Sequence, residues 1–436
     1  MAVAAGLRFY QLGRPSLWYD EVVSMRLATS PDPMGLLRML GEIDATRAPL
    51  HPLALQGWLK LVGPTEWRAR AFSASFGLAT VVFVYLIGRA VFDQRTALFA
   101  GWLAAVCPAL VRYSQEVRMY ALLTFLSCVL WWLLTLPRSR RFEWVFMMIF
   151  EVLVFYCHPL GLFMLAIFVP LSFLYFWRSG RGLETWLIGQ GAVALAVLPW
   201  LPRYFDHPPE SAVGRLPPRF LLGLPIEYIG GDFRSLALAV VVIAVGAYGA
   251  RGAGDPERRW WGLLAWFVVP PVLLYAYSQV SHPIFGPARY TLFVAPAFLL
   301  LVGRGLARLP LPLAVILLVG SSWLSALMLS TMVYDPGLKA DWRAAAIELG
   351  HGLPTKQEVV AVASADPARN AEVETAKYYL GPRYNVVAAE GRDEAPDVFA
   401  VGTRGGRLAA PLPDFVTDEW TRRDLHGLAL YFRSAP

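Results

Sequence analysis

Apolar side chains fall in ten runs, at 70–92, 96–112, 119–137, 142–157, 159–177, 183–201, 234–250, 259–278, 287–303 and 311–333. Within each run they are continuous rather than alternating. Each therefore reads as a helix that is buried or faces hydrocarbon, not as a half-exposed strand. A helix needs about 20 residues to cross a bilayer core, with a range of about 17–25. Most of the runs meet that length; 142–157 is short. The pattern predicts ten spans.

The segments between runs alternate in charge. One set carries Arg89 and Arg95; Arg138, Arg140 and Arg141; Arg178 and Arg181; Arg251, Arg258 and Arg259; Arg304 and Arg308. The positive-inside rule places that set in the cytoplasm. The other set then faces outward: the approach to residue 70, then 112–118, 157–159, 202–233, 279–287 and everything after 333. Ten crossings return the chain to its starting side, so count and sidedness agree.

Ahead of the first run, 14–69 reads as an outer loop with its own short helices. Pro49-Leu50-His51-Pro52 resets the backbone before an apolar piece, 53–63, that is too short to span and suits the interface. After the last run the signals change. Glu358–Ala363, Asn385–Ala388, Asp397–Val401 and Ala429–Phe432 read as strands and 368–380 as a helix. This divides the chain into an N-terminal stub with the first outer loop (1–69), a helical membrane domain (70–333) and a small extracytoplasmic α/β domain (334–436).

Composition supports a polytopic membrane protein, with the cytoplasmic (inner) membrane as its expected location. Apolar residues make up 56 % of the 436 and charged residues 16 %, against about 25 % charged in an ordinary soluble domain. Residues 334–436 carry 12 Lys and Arg against 15 Asp and Glu, the remainder 27 against 17. The basic residues sit in short clusters between apolar runs, which is topology rather than a nucleic-acid surface. Cys107, Cys128 and Cys157 lie in or at the end of apolar runs without ligand-like spacing and read as small buried hydrophobes.

Several polar groups stand out. Asp20 and Glu21 follow Ser16-Leu17-Trp18-Tyr19 at an expected interface; they suit either a helix N-terminus with a solvated acid or a pair of catalytic carboxylates. Arg47 precedes a rigid turn in the same loop and by itself reads as a snorkelling anchor. Glu116 and Arg118 lie in the very short outer loop Ser114-Gln115-Glu116-Val117-Arg118-Met119-Tyr120, paired with each other or lining a shared site. Glu151 lies inside an apolar run, with His158 seven residues later on the same helical face, as a buried pair or a functional group. Arg289 and Tyr290 open a span as an interfacial anchor or a second phosphate contact.

Ser-Leu-Trp-Tyr-Asp-Glu at 16–21 resembles the first outer loop of GT-C membrane glycosyltransferases, more narrowly the family-39 type that includes protein O-mannosyltransferases and bacterial aminoarabinose transferases. Arg-Ala-Pro-Leu-His at 47–51 resembles that family's His/Lys-Pro-Pro-Leu-Tyr stretch. Gly63 through Ser73, with Trp67, Arg68 and Arg70, resembles the Phe-Gly-x-Ser-Glu-x-x-x-Arg segment that follows. Residues 114–120 are similar to its second outer-loop motif, and Arg289-Tyr290 and Asp341-Trp342-Arg343 fit more weakly. The resemblance implies a GT-C fold and inverting transfer of a sugar from a polyprenyl-phosphate donor on the outer face. It implies Asp20 at the catalytic acid position, Glu116 at the second outer-loop acid and Arg47 on the lipid phosphate.

Two departures stand beside it. Such proteins have about eleven spans, the first ahead of the Asp-Glu loop. Here only 13 residues precede Arg14. Even fully helical they reach about 20 Å, against a core of about 30 Å, so they are not expected to cross alone: either the start is truncated or the protein lacks that span, and a partner membrane protein near the N-terminus is one way to fill that place. The family's Pro-Pro is here Ala48-Pro49, and its Tyr is His51.

The residue types suit the reaction. A carboxylate in hydrogen-bond reach of the acceptor hydroxyl takes its proton, worth about 10²–10⁴-fold; Asp20 is the expected base, with Glu21 as rival. The leaving phosphate needs fixed cations, which Arg47, Arg118 and Arg289 supply, with Tyr290 beside them. Glu116 orients the acceptor or a sugar hydroxyl, and His51, Tyr120, Glu151 and His158 are candidate support. No ligand set for a metal is apparent, although the paired carboxylates would suit a divalent cation. The expected partners are the lipid donor, membrane lipids and an acceptor whose class (glycan, lipid or protein) the sequence leaves open. A non-catalytic GT-C-like scaffold or accessory subunit is the main rival reading. A lipid transporter would show repeated halves and polar groups at midplane, and neither is apparent.

Overall fold

The structure, a computed structural model, describes residues 1–43, 48–136, 143–178, 182–204, 215–248, 256–286, 288–335, 339–352, 359–363, 371–381, 384–389, 396–404, 407–408, 410, 412–413, 416–417 and 420–433. They form two compact units: Met1–Tyr10 with Leu27–Ser330, and Gln11–Arg26 with Thr331–Pro436. In chain order the helices are α1 (Ala2–Phe9), α2 (Tyr19–Ala28), α3 (Pro33–Ile43), α4 (Leu50–Val62), α5 (Glu66–Val91), α6 (Gln94–Val106), α7 (Pro108–Ser114), α8 (Tyr120–Thr135) and α9 (Glu143–Cys157). There follow α10 (Gly161–Arg178), α11 (Gly182–Val197), α12 (Gly223–Ile229), α13 (Phe233–Tyr248), α14 (Pro256–Val280), α15 (Ala295–Arg308), α16 (Leu311–Met332), α17 (Trp342–Gly352) and α18 (Ala371–Leu380).

Every apolar run of the sequence coincides with a helix or a bent pair of helices. Among the described residues five are long and apolar enough to cross a membrane, namely α5, α10, α14 from Trp260, Ala288–Arg308 and α16, and two bent pairs bring the number to as many as seven. The expectation of ten also counted α8, α9 and α11, of 16, 15 and 16 residues.

Packing of the first unit depends on small residues where helices meet. A Cβ on Gly303 would fall 2.8 Å from Ala100 of α6, and one on Gly305 would collide with the Val242 carbonyl of α13. These two glycines let α15 lie close against both neighbours. Arg304 between them pairs with Asp93, whose carboxylate also caps α6 by accepting from the Thr96 N–H at 2.8 Å. The window of Ala288–Arg308 is 83 % buried, that of α16 only 17 %, which makes the former central and the latter peripheral. The bend of 54° between α6 and α7 falls at Pro108, which has no N–H to continue the ladder.

The second unit contains a sheet of β1 (Val359–Ala363), β2 (Asn385–Ala388), β3 (Val398–Arg404), β4 (Arg407–Leu408), β5 (Trp420–Leu425) and β6 (Leu428–Arg433). Its order is β2-β1-β3-β6-β5, with β4 paired to β3. The β1–β2 and β1–β3 pairs are parallel, β3–β6 and β5–β6 antiparallel. Alternation along β1 divides the core. Val360 and Val362 pack with Trp342, Leu349, Val373 and Leu380 of α17 and α18; Ala361 and Ala363 face Phe399, Val401 and Tyr431 on the other side.

Candidate active site

The acidic segment belongs to the second unit. Trp18 precedes the first turn of α2, and Glu21 stands three residues on, the spacing of a capping box. Its Oε2 accepts from the Trp18 N–H at 3.3 Å and from Lys339 Nζ at 2.8 Å, and Glu21 has no solvent exposure. Asp20 lies on the same turn and is half-buried, at the positive end of the helix. The preceding residues are tied to the C-terminal fold. Ser16 Oγ donates to Asp341 Oδ1 at 3.1 Å and accepts from the Arg343 N–H at 3.2 Å; the Leu17 N–H donates to Tyr379 Oη at 2.6 Å. Arg26 pairs with Glu374 at 2.7 Å. The Asp341-Trp342-Arg343 motif is thus the dock for Ser16.

In the first unit the turn between α7 and α8 carries Glu116 and Arg118, 6 % and 5 % exposed. Glu116 Oε1 lies 3.9 Å from Arg112 Nε, and the Glu116 carbonyl accepts from the Arg118 N–H at 2.8 Å. Around this turn the fold gathers aromatic and basic groups from distant segments. Tyr120 stacks near His158, Tyr113 and Tyr290, with centroids 5.9, 5.8 and 6.3 Å away. The Arg289 guanidinium lies over the Tyr290 and Tyr120 rings at 5.1 and 6.0 Å and donates to Tyr290 Oη at 3.3 Å. His51 sits edge-on to Phe72 at 5.8 Å.

Both histidines are neutral. Burial pushes the His51 imidazole down to about 3, and the Arg118 guanidinium adds to it. The same burial, with Arg118 and Arg289, pushes His158 down to about 3. His158 Nδ1 accepts from the Leu160 N–H at 3.0 Å, so its Nε2 carries the proton. With both histidines neutral, the Arg118 and Arg289 guanidiniums are cations of this cluster and Glu116 is its carboxylate, facing Arg112.

His51, Glu116, Arg118, Tyr120, His158, Arg289 and Tyr290 therefore belong to one neighbourhood of the first unit, and Asp20 and Glu21 to the second unit. Arg47 lies outside the described residues. The Glu151–His158 pairing that the seven-residue spacing allowed is not made: Glu151 accepts from Gln190 Nε2 on α11 at 3.0 and 3.4 Å. Seven residues along a helix are about 10 Å, and α11 supplies a nearer donor. Among the described residues no group of three His, Cys, Asp or Glu side chains is gathered to hold a metal.

Sequence reading missed four residues. Lys339 reads as one charge of an acidic tail until Glu21 meets it. Glu227 on α12 lies within electrostatic reach of Tyr113 and Arg112. Arg8 and Gln115 hold backbone carbonyls. An arginine in an apolar N-terminal stretch was the one available signal.

The profile of the dolichyl-phosphate-mannose-protein mannosyltransferase family matches residues 46–202. ArnT from Cupriavidus metallidurans bound to undecaprenyl phosphate superposes with a TM-score of 0.62 at 15 % identity, over 100 % of this chain and 97 % of that one. Its apo state gives 0.59 at 15 % identity, over 88 % and 84 %. The chain has the GT-C fold. A more distant likeness, to the Archaeoglobus fulgidus oligosaccharyltransferase tethered with an acceptor peptide, has a TM-score of 0.55 at 12 % identity, over 89 % of this chain and 64 % of that one. No curated protein matches by sequence. The GT-C fold agrees with what the outer-loop motifs implied.

Proposed function

We propose that this protein is an inverting glycosyltransferase that moves a sugar from a polyprenyl-phosphate donor to an acceptor hydroxyl at the outer face of the cytoplasmic membrane. The observation that carries the reading is the cation-rich, aromatic-lined cluster of Arg118, Arg289, Tyr120 and Tyr290 within a GT-C fold, of which one likeness is bound to undecaprenyl phosphate. The donor phosphate is the anion that such a cluster suits.

In the reaction the acceptor oxygen attacks the anomeric carbon as the bond from that carbon to the phosphate oxygen breaks. Asp20 takes the hydroxyl proton. Polyprenyl phosphate leaves with both bonding electrons, and Arg47, Arg118 and Arg289 stabilise its added charge. A single direct displacement inverts the anomeric centre. Glu116 accepts from a sugar or acceptor hydroxyl, and Tyr290 donates to the phosphate. His51 and His158, neutral and buried, line the donor side; a neutral Nε2–H on His158 is a donor there. Glu21 builds the helix turn that carries Asp20 rather than acting as base. The residues of the cluster supply positive charge without a metal, and a divalent cation would have Asp20 among its ligands.

The test is incubation of the purified chain with a panel of labelled polyprenyl-phosphate sugars and a membrane extract. Transfer of label into an extract component, with an inverted linkage, supports the reading. No label transferred from any donor, together with stoichiometric recovery of the chain inside another membrane complex, favours a GT-C-like accessory subunit instead.

A further inference from the structure

Two side chains join α1 to the strand of chain that leads into the Glu116–Arg118 turn. The first is Arg8, which has no solvent exposure. Its guanidinium donates to the Ala104 and Ala105 carbonyls at 3.0 and 2.9 Å. In an uninterrupted helix the Ala104 carbonyl would accept from residue 108, but residue 108 is a proline without an N–H. Arg8 supplies the missing donor at the break between α6 and α7. The second is Gln115, one residue beyond the other end of α7. Its Nε2 donates to the Leu7, Arg8 and Tyr10 carbonyls at 3.0, 3.2 and 3.0 Å, which are the carbonyls left over at the C-terminus of α1.

The capping is reciprocal. Arg8 of α1 caps the end of α6, and Gln115 caps the end of α1. The seven-residue α7 is therefore held at both ends by the same short helix. Packing reinforces this: a Cβ on Gly77 of α5 would collide with Ser114 Oγ and approach Arg8 Nε to 3.1 Å. Glu116, Val117 and Arg118 follow Gln115 directly and are buried, so their position is set by where α7 ends.

We propose that α1 is a strut that positions the Glu116–Arg118 turn, with Arg8 and Gln115 as positioning residues. Arg8 fixes the start of α7 and Gln115 its end, and together they hold Arg118 where it meets the donor phosphate. What the turn does rests on the function proposed above; that α1 holds it does not.

The test uses the full chain in detergent, with undecaprenyl phosphate as the probe. Amide hydrogen exchange is followed at 115–119, and lipid-phosphate affinity is measured in parallel, for Gln115→Leu, Arg8→Met and Arg8→Lys. The strut requires exchange at 115–119 to quicken by about tenfold or more in Gln115→Leu and Arg8→Met. Exchange in α13 and α15 should hold, which shows that the fold survives. Affinity should fall about tenfold, since small displacements of a positioned cation are costly. Arg8→Lys keeps a cation but loses the two-pronged donor, so it should fall between wild type and Arg8→Met. Unchanged exchange at 115–119 overturns the strut, and so does quickened exchange with unchanged affinity, because α1 would then be a stabilising element alone. A wild-type chain that binds no lipid phosphate sinks the proposed function, while the exchange result still decides the strut.

Discussion

Lys339 Nζ donates to Glu21 Oε2 at 2.8 Å, and the carboxylate it meets has no solvent exposure. One residue away, Asp20 is half-buried on the same helical turn. Two adjacent acids that look equivalent in the sequence thus have different surroundings. Glu21 is occupied by a lysine and by the backbone of its own helix start; Asp20 is the less buried of the two.

The Lys339–Glu21 pair should be worth more than a surface ion pair, because one partner is fully buried. Lys339→Met takes this cation from the buried Glu21 carboxylate and is expected to lower stability by about 3–5 kcal/mol. The double variant Lys339→Met/Glu21→Gln should regain most of that, since the buried charge goes with its partner. Thermal melting of wild type, Lys339→Met, Glu21→Gln and the double variant checks it; additive losses would contradict the pairing.

Stability should fall on mild acidification. His51 and His158 bind protons near 6.5 when unfolded but are held down to about 3 in the fold by burial and by Arg118, joined by Arg289 at His158. Between those values the unfolded chain binds more protons, so stability rises with pH. It is complete above about 6.5 and is lost as pH falls toward 3. Melting temperatures recorded from pH 8 to pH 4.5 should drop below pH 6.5, and His158→Gln should flatten part of that slope.

Gly305→Val should disrupt the packing of α15 on α13. The first added carbon meets the Val242 carbonyl, and overpacking of this kind costs about 1–3 kcal/mol. Gly320→Val, where a Cβ meets nothing within 4 Å, is the matched control. Equal expression and equal melting of the two would contradict the close approach.

Much of the fold was legible. Continuous apolar runs mark all the long helices, and β1, β2, α18 and β6 appear within a few residues of where strand and helix signals placed them. What could not be read is what depends on partners distant in sequence. The sheet order places β6 against β3, a long-range choice without a local signal. Glu151 and His158 share a helical face, yet Gln190 of α11 decides the outcome. Arg8 and Gln115 are about a hundred residues apart, and the break at Pro108 and the open carbonyls at the end of α1 explain why they are needed. The site candidates were found from polar residues in short outer loops; Lys339 was missed because its partner lies more than three hundred residues away.

Sidedness can be checked at two exposed positions, one in each unit. Thr421, on the edge strand β5, and Arg308, at the end of α15, are both exposed. Single cysteines there, in whole cells of a strain with the native cysteines replaced, should differ. Thr421→Cys should react with an impermeant maleimide from outside, and Arg308→Cys only after permeabilisation. The reverse pattern would invert the topology and move the proposed site into the cytoplasm.

The most direct measurement of the proposed chemistry compares donor binding and turnover in Asp20→Asn, Glu21→Gln and Arg47→Ala at matched expression. Asparagine keeps the shape of Asp20 but cannot take the proton at neutral pH, so Asp20→Asn should bind the polyprenyl-phosphate sugar as wild type does and lose turnover by about 10²-fold or more. Arg47→Ala should instead weaken donor binding. Glu21→Gln should lower stability ahead of turnover, because Lys339 loses its partner. Full turnover in Asp20→Asn, or a selective loss of turnover in Glu21→Gln with its fold and donor binding intact, would contradict the assignment of Asp20 as the base.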